Sequence, residues 1–303
     1  MDAATPQTDR QINFAGILRS WRAFSLPASV LPVIAATAAV LPVRQWRWDI
    51  LAAAVMAAGL LHIAANLLND YFDYRKGVDR HVEGDEARPG MVLVRKQMLP
   101  RDVLIESAIA LLLAAALTGY IIWSSGIVLL WFALAAAAAI YAYTGPPFEL
   151  KYHALGELVI FIVFGPLLVV AAAWAQVGHF SPIALWLSVP IGLATTGILV
   201  AGNFRDRQED GQAGIKTIAQ FAGGVFVRAV YVSVILGSAI GLAVIGALCG
   251  PRLLLAAPLT LLLAVRPLAA ILRAQRLPDI DAQTAKYVTA LIVLAIVAYI
   301  VGL

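Results

Sequence analysis

The chain has 303 residues, 61% of them hydrophobic and 13% charged, with a formal charge of +4 and a mean hydropathy of +0.85. A soluble domain holds about 45–50% apolar and about 25% charged residues, so this composition excludes a soluble globular enzyme and describes an integral membrane protein. The single Cys249 excludes an internal disulfide and a cysteine-cluster metal site, and the small positive charge belongs to loops and gives no reason to expect a nucleic-acid partner.

The first fourteen residues are mostly polar, carry Asp2 and Asp9 against Arg10, and lack an apolar stretch. They read as part of a cytoplasmic segment, 1–22, with no cleaved targeting sequence. A helix needs about 20 mostly apolar residues to cross a bilayer. Nine candidate spans follow, at 23–42, 49–68, 103–123, 126–143, 157–177, 183–203, 225–248, 253–271 and 286–302. Pro32, Pro166 and Pro190 fall inside them, where proline kinks a membrane helix and leaves a packed bundle room for a cavity. Trp46, Trp48, Trp123 and Trp131 stand near span ends, as an interfacial aromatic belt requires.

Alternate loops differ sharply in charge. Of the 22 Lys and Arg, all but Arg44, Arg47 and Arg252 fall on the side of the N-terminus, and of the 18 acidic residues only Asp49 falls on the other. The positive-inside rule makes the N-terminus cytoplasmic and, with nine spans, the C-terminus external, as in a bacterial inner membrane.

Two stretches carry the chemistry. The first runs through Asn66, Asn69, Asp70 and Asp73 to Gly77 and Asp79 and closes the second span. At about 100° per residue, Asn66, Asn69, Asp70 and Asp73 share one helix face about 100° wide. The second stretch, Asn203, Arg205, Asp206 and Asp210, closes the sixth span and places Asn203, Asp206 and Asp210 at i, i+3 and i+7, again on one face. The repetition four spans apart predicts an all-α membrane domain over 1–303. It would consist of two pseudo-repeated four-helix halves plus a ninth helix around a central cavity, with 73–102 and 204–224 as cytoplasmic loops over the site.

Mg²⁺ prefers oxygen ligands and is usually held by one or two carboxylates plus substrate phosphates. Asn69 and Asp73, with Asp206 and Asp210, are suited to hold two such ions on opposite sides of a diphosphate. Asn66 and Asn203, one turn deeper, would orient ligands. The competing explanation is a pair of solvated acidic helix ends that pair with Arg75, Lys76 and Arg205. Cations for diphosphate oxygens would come from Arg22, Arg88, Arg95, Lys96, Arg205 and above all Lys216, six residues past Asp210. Asp70 and Asp79 are further candidates for the substrate site. His62 lies one turn from Asn66 on the same face, and an ionisable residue within a span is a functional candidate, although a neutral histidine bonded to a neighbouring helix satisfies the position equally. The segment from Tyr143 through Gly145, Pro146 and Pro147 to Tyr152 and Glu157 reads as a structured cytoplasmic loop that lines or covers a pocket.

The paired motifs, with Asn69-Asp70, Asp73 and Asp79 in the first and Asn203, Arg205-Asp206, Asp210 and Gly214 in the second, resemble the UbiA superfamily of membrane prenyltransferases. The spacing through Gly77 to Asp79, together with Tyr143-Thr144-Gly145, Gly156-Glu157 and Gly165-Pro166, is similar to the branch that prenylates 1,4-dihydroxy-2-naphthoate for menaquinone and to its animal vitamin K relatives. Two positions depart from that pattern: Ile215 stands where bacterial members often have Lys or Arg, and Gly202 where a second Asn is common.

The resemblance implies Mg²⁺-dependent transfer of a polyprenyl group from its diphosphate to an aromatic quinone precursor. Asp73, Asp206, Asp210 and Lys216 would be catalytic, the product tail would pass into membrane lipid, and in the naphthoate branch CO₂ leaves the attacked carbon. A 4-hydroxybenzoate acceptor is the alternative within the family. A cation-coupled transporter is the alternative outside it, although such sites lie near the bilayer midplane on broken helices.

Overall fold

A computed structural model describes residues 17, 20–77, 92–212 and 214–302. The described chain is helical, with one isolated parallel bridge between His153 and Lys216 and no strand among those residues. Its helices are α1 (Pro27–Val40, led by a 3₁₀ turn at Ala23–Ser25), α2 (Trp48–Lys76), α3 (Pro100–Ser125), α4 (Val128–Thr144) and α5 (Gly156–Val177). They continue as α6 (Pro182–Gln212), α7 (Gly223–Leu248), α8 (Arg252–Leu272, wound as 3₁₀ to Ala264) and α9 (Ile280–Val301).

Among the described residues, eight helices are long and apolar enough to cross a membrane, counting α1 with the turn before it. The expected span at 126–143 is the exception, because α4 has only 17 residues. Chain geometry limits it at both ends. Gly126, at φ 112°, breaks the chain before it, and Gly145 followed by Pro146 and Pro147 prevents its continuation.

The two motif helices are longer than a span requires. α2 has 29 residues, about 43 Å at 1.5 Å each, against a hydrocarbon thickness of about 30 Å. Nothing between Asn66 and Lys76 breaks a helix, so α2 runs through its motif until Gly77, at φ 76°, donates its N–H to the carbonyls of Asp73 and Tyr74. α6 likewise runs 31 residues to Gln212, with Gly214 at φ 70° in the turn beyond. Asn66 to Asp73 and Asn203 to Asp210 are therefore helical throughout. The starts of the loops expected at 73–102 and 204–224 are thus helix, as far as Lys76 and Gln212.

The largest core cluster joins α1, α6, α7 and α9 through Val33, Leu187, Ile191, Leu242 and Leu291. Two of its tyrosines bond across to neighbouring helices. Tyr231 bonds Thr284 at 2.8 Å, while the Tyr287 hydroxyl lies 2.7 Å from Ser238 and donates to the Ile235 carbonyl at 2.9 Å. α5 is not regular: Val163–Leu167 forms a π-helical turn around Pro166, which has no N–H to give an α-helical ladder. There Gly165 meets α6 so closely that a Cβ would lie 2.7 Å from the Ser188 carbonyl and 3.1 Å from Gly192 Cα. This contact seats α5 against α6 while Phe164, next to it, faces a cavity on the other side.

Candidate active site

A cavity of about 420 Å³ lies among α1, α2, α4, α5 and α6. Asn66, Asn69, Asp70 and Asp73 line it from α2, and Asn203, Arg205, Asp206 and Asp210 from α6. Arg22 and Tyr143 line it as well, so ten of the residues singled out from sequence for metal and substrate border one cavity. Deeper in, the wall turns apolar, with Leu61, Ile140, Phe164 and Leu167 among its side chains.

The α2 cluster is held by a loop residue that sequence reasoning treated only as membrane-side charge. Lys151, in the 3₁₀ turn Leu150–Tyr152, donates to Asp73 Oδ2 at 2.7 Å and to Asn69 Oδ1 at 3.0 Å. Tyr152 donates its hydroxyl to Asp73 Oδ1, and Asn69 Nδ2 donates to Asp73 Oδ2 at 3.0 Å. Asp73 is thus buried with donors on both oxygens. Burial pushes the Lys151 ammonium down, but the charge of Asp73 beside it prevails and holds it above the ordinary lysine range. Asp70, also buried, pairs with Arg22 at 2.6 Å. Asn66 keeps a buried amide nitrogen without a hydrogen-bond partner.

The α6 cluster has its own cation. Arg205 grips Asp206 in bidentate fashion, Nε to Oδ1 at 2.7 Å and NH2 to Oδ2 at 2.9 Å. Its third arm reaches Asp281 on α9 at 2.8 Å. Asn203 donates to Glu157 Oε1 at 2.8 Å, which fixes its amide from the start of α5. Part of the competing explanation therefore holds, since Arg205 does pair with an acid of its own motif, but it does so at a cavity wall and not as a solvated surface pair.

Three described residues, Lys216, Arg95 and Lys96, stand apart from the cavity. Lys216, the favoured diphosphate contact, is exposed and does not line the cavity. Ile215 packs inward in its place and the backbone of Lys216 bridges to His153. Asp79 and Arg88 lie outside the described residues. Arg95 and Lys96 are described and do not line the cavity. Lys151 and Asp281 were the residues missed, while Tyr152 was expected only as part of a loop over the pocket. Lys151 had a signal, as the one cation between α4 and α5, inside a loop whose Gly and Pro residues mark it as structured.

Two oxygen-rich helix ends, neutralised by basic side chains, line one cavity with an apolar interior in a chain of membrane-length apolar helices. The sequence pattern of the UbiA prenyltransferase family matches residues 29–301, and the chain belongs to that family. Relatives include UbiA prenyltransferase domain-containing protein 1 from Danio rerio, 34% identical over 228 residues, which are 74% of this chain and 66% of the relative. The protein of that name from Xenopus tropicalis is 36% identical over 219 residues, 71% of this chain and 61% of the relative. The match thus spans less than two thirds of these relatives' length.

Among solved structures, a UbiA homolog from Archaeoglobus fulgidus bound to GPP and Mg²⁺ superposes with a TM-score of 0.67 at 16% identity, covering 94% of this chain and 99% of that one. An apo UbiA homolog from Aeropyrum pernix K1 gives 0.68 at 18% identity, covering 94% and 98%. At such identities the likeness is one of fold. Membership of this family gives the transporter alternative no support.

Proposed function

We propose that this chain transfers a prenyl group from a polyprenyl diphosphate to a hydroxylated aromatic acceptor, 1,4-dihydroxy-2-naphthoate before 4-hydroxybenzoate. The observation that carries this reading is the convergence of the α2 and α6 carboxylates on one cavity whose depth is apolar. The homolog bound to GPP and Mg²⁺ supports the substrate class, and the spacing from Asp73 through Gly77 to Asp79 supports the naphthoate acceptor.

The donor set fits Mg²⁺. Asn69, Asp73, Asp206 and Asp210 offer only hard oxygen ligands, and among the described residues no three His, Cys, Asp or Glu side chains cluster tightly enough to cage an ion alone. That sparseness is the pattern of ions shared with substrate phosphates. Bound there, Mg²⁺ would draw charge off the bridging oxygen of the diphosphate. Arg22, Lys151 and Arg205, which neutralise the carboxylates here, stand where they can turn to diphosphate oxygens and stabilise the leaving group. The apolar depth keeps water from the allylic cation left when the C–O bond breaks, and the electron-rich ring then attacks. On the naphthoate the attacked carbon releases CO₂ and regains aromaticity.

We further read α4 as a ninth span, with α1–α4 and α5–α8 as the two halves. The basic side, with the site, would face the cytoplasm of a bacterial inner membrane. Purified protein given labelled prenyl diphosphates, Mg²⁺ and a panel of aromatic acceptors should release a prenylated ring, with CO₂ for the naphthoate. No transfer to any ring would refute the reading.

A further inference from the structure

The cavity wall between α1 and α2 carries a polar group for which neither a prenyl chain nor a diphosphate has a use. His62 lies one turn deeper than Asn66, its ring edge-on to Phe164. Its two nitrogens face serines: Nε2 is 2.9 Å from Ser25 Oγ and Nδ1 is 2.5 Å from Ser29 Oγ. Ser25 Oγ also donates to the Arg22 carbonyl at 2.8 Å.

A hydroxyl has one proton to give. With that proton on the Arg22 carbonyl, Ser25 accepts from His62, so the imidazole carries its hydrogen on Nε2. Nδ1 is then an acceptor, and Ser29 gives it the only proton Ser29 has. The bonds run one way, from Ser29 through His62 and Ser25 to the backbone of Arg22. Ser29 Oγ is left able only to accept. It is buried, lines the cavity, and has Ala28, Val33 and Ala58 as apolar neighbours on the same wall.

An accept-only oxygen in an apolar wall selects a ligand that brings a donor. The prenyl chain has none, and a diphosphate offers only acceptors and is served by the charged rim. We propose that Ser29, oriented by His62, docks a hydroxyl of the aromatic acceptor, whose O–H donates to Ser29 Oγ. This rests on the prenyl-transfer reading. Ser29 is then a binding residue and His62 a positioning residue.

The alternative role for the trio is a clamp between α1 and α2, and substrate discrimination separates the two. The test uses the full chain with Mg²⁺, a prenyl diphosphate, and 1,4-dihydroxy-2-naphthoate or 4-hydroxybenzoate beside their O-methyl ethers. Ser29→Ala should lower kcat/KM for the hydroxylated ring roughly tenfold, the worth of one buried hydrogen bond. It should leave the ether and the KM for the diphosphate unchanged. Comparing one pair of rings on both proteins cancels the intrinsic reactivity of each ring. His62→Leu should reproduce the loss, and His62→Gln, which keeps one donor and one acceptor, should restore most of it. Equal slowing of both rings, or a loss confined to diphosphate KM, would overturn the proposal while leaving prenyl transfer intact. Absence of transfer by the wild-type chain to either hydroxylated ring would overturn both.

Discussion

Replacing Asp73 by Asn tests how the site is built. From its place at a helix end the expectation is loss of transfer with little loss of folding. The structure predicts a larger cost. Asp73 and Lys151 are 2.7 Å apart with side chains only 8% and 17% exposed, so water screens the pair weakly. At that separation, with an effective dielectric of about 20, the attraction is about 6 kcal/mol, and desolvation of the two groups offsets about half of it. Asp73→Asn leaves a buried ammonium unpaired and should cost about 3 kcal/mol, a fall in Tm of roughly 5–10 °C. Lys151→Met should cost less, because Tyr152 and Asn69 still donate to the carboxylate.

The double variant should be no less stable than Asp73→Asn alone, a coupling of about 2–3 kcal/mol. The assay is thermal unfolding of the four proteins in detergent with EDTA, which keeps divalent ions out of the comparison. Strictly additive Tm changes would refute the claim that Lys151 holds the unloaded site together.

Asp206→Asn should abolish transfer while lowering Tm by less than Asp73→Asn does, because Arg205 keeps Asp281 as a second carboxylate; product yield and unfolding on the same preparation check this. Lys151→Met should raise the KM for the diphosphate several-fold and Lys216→Ala should leave it nearly unchanged, since only Lys151 lines the cavity; steady-state kinetics with the diphosphate varied decides between them. Gly165→Ala should destabilise by about 1–3 kcal/mol, because its Cβ would meet backbone atoms that cannot move aside, whereas Gly202→Ala, with nothing within 4 Å, should unfold like wild type. Chelation of Mg²⁺ should abolish transfer, and added Mg²⁺ should restore it.

Much of this site was legible because its residues lie on regular helices. Spacing alone put Asn66, Asn69, Asp70 and Asp73 on one face, and α2 does present all four to the cavity. Charge asymmetry put both motifs on one side of the membrane, and they do share one cavity. The helix ends were misjudged because hydropathy falls at Asn66 and Asn203 while the backbone continues as helix to Lys76 and Gln212. A loss of hydrophobicity marks the edge of the lipid, and only glycine or proline marks the end of the coil.

Lys151 and Asp281 were missed for a different reason. They reach the motifs from 78 and 76 positions away in the chain, and such partners have no local period to reveal them. The same limit applied to Lys216, whose nearness in sequence to Asp210 suggested a contact that the turn at Gly214 directs elsewhere.

The central claim is that α2 and α6 share one diphosphate through ions held between them. Crystals of the protein with Mn²⁺ and a non-hydrolysable prenyl diphosphate, measured at the manganese edge, test it most directly. The account predicts two anomalous peaks flanking the diphosphate, one against Asn69 and Asp73 and the other against Asp206 and Asp210. Metal bound at only one of these helix ends, or a diphosphate seated away from both, would contradict it.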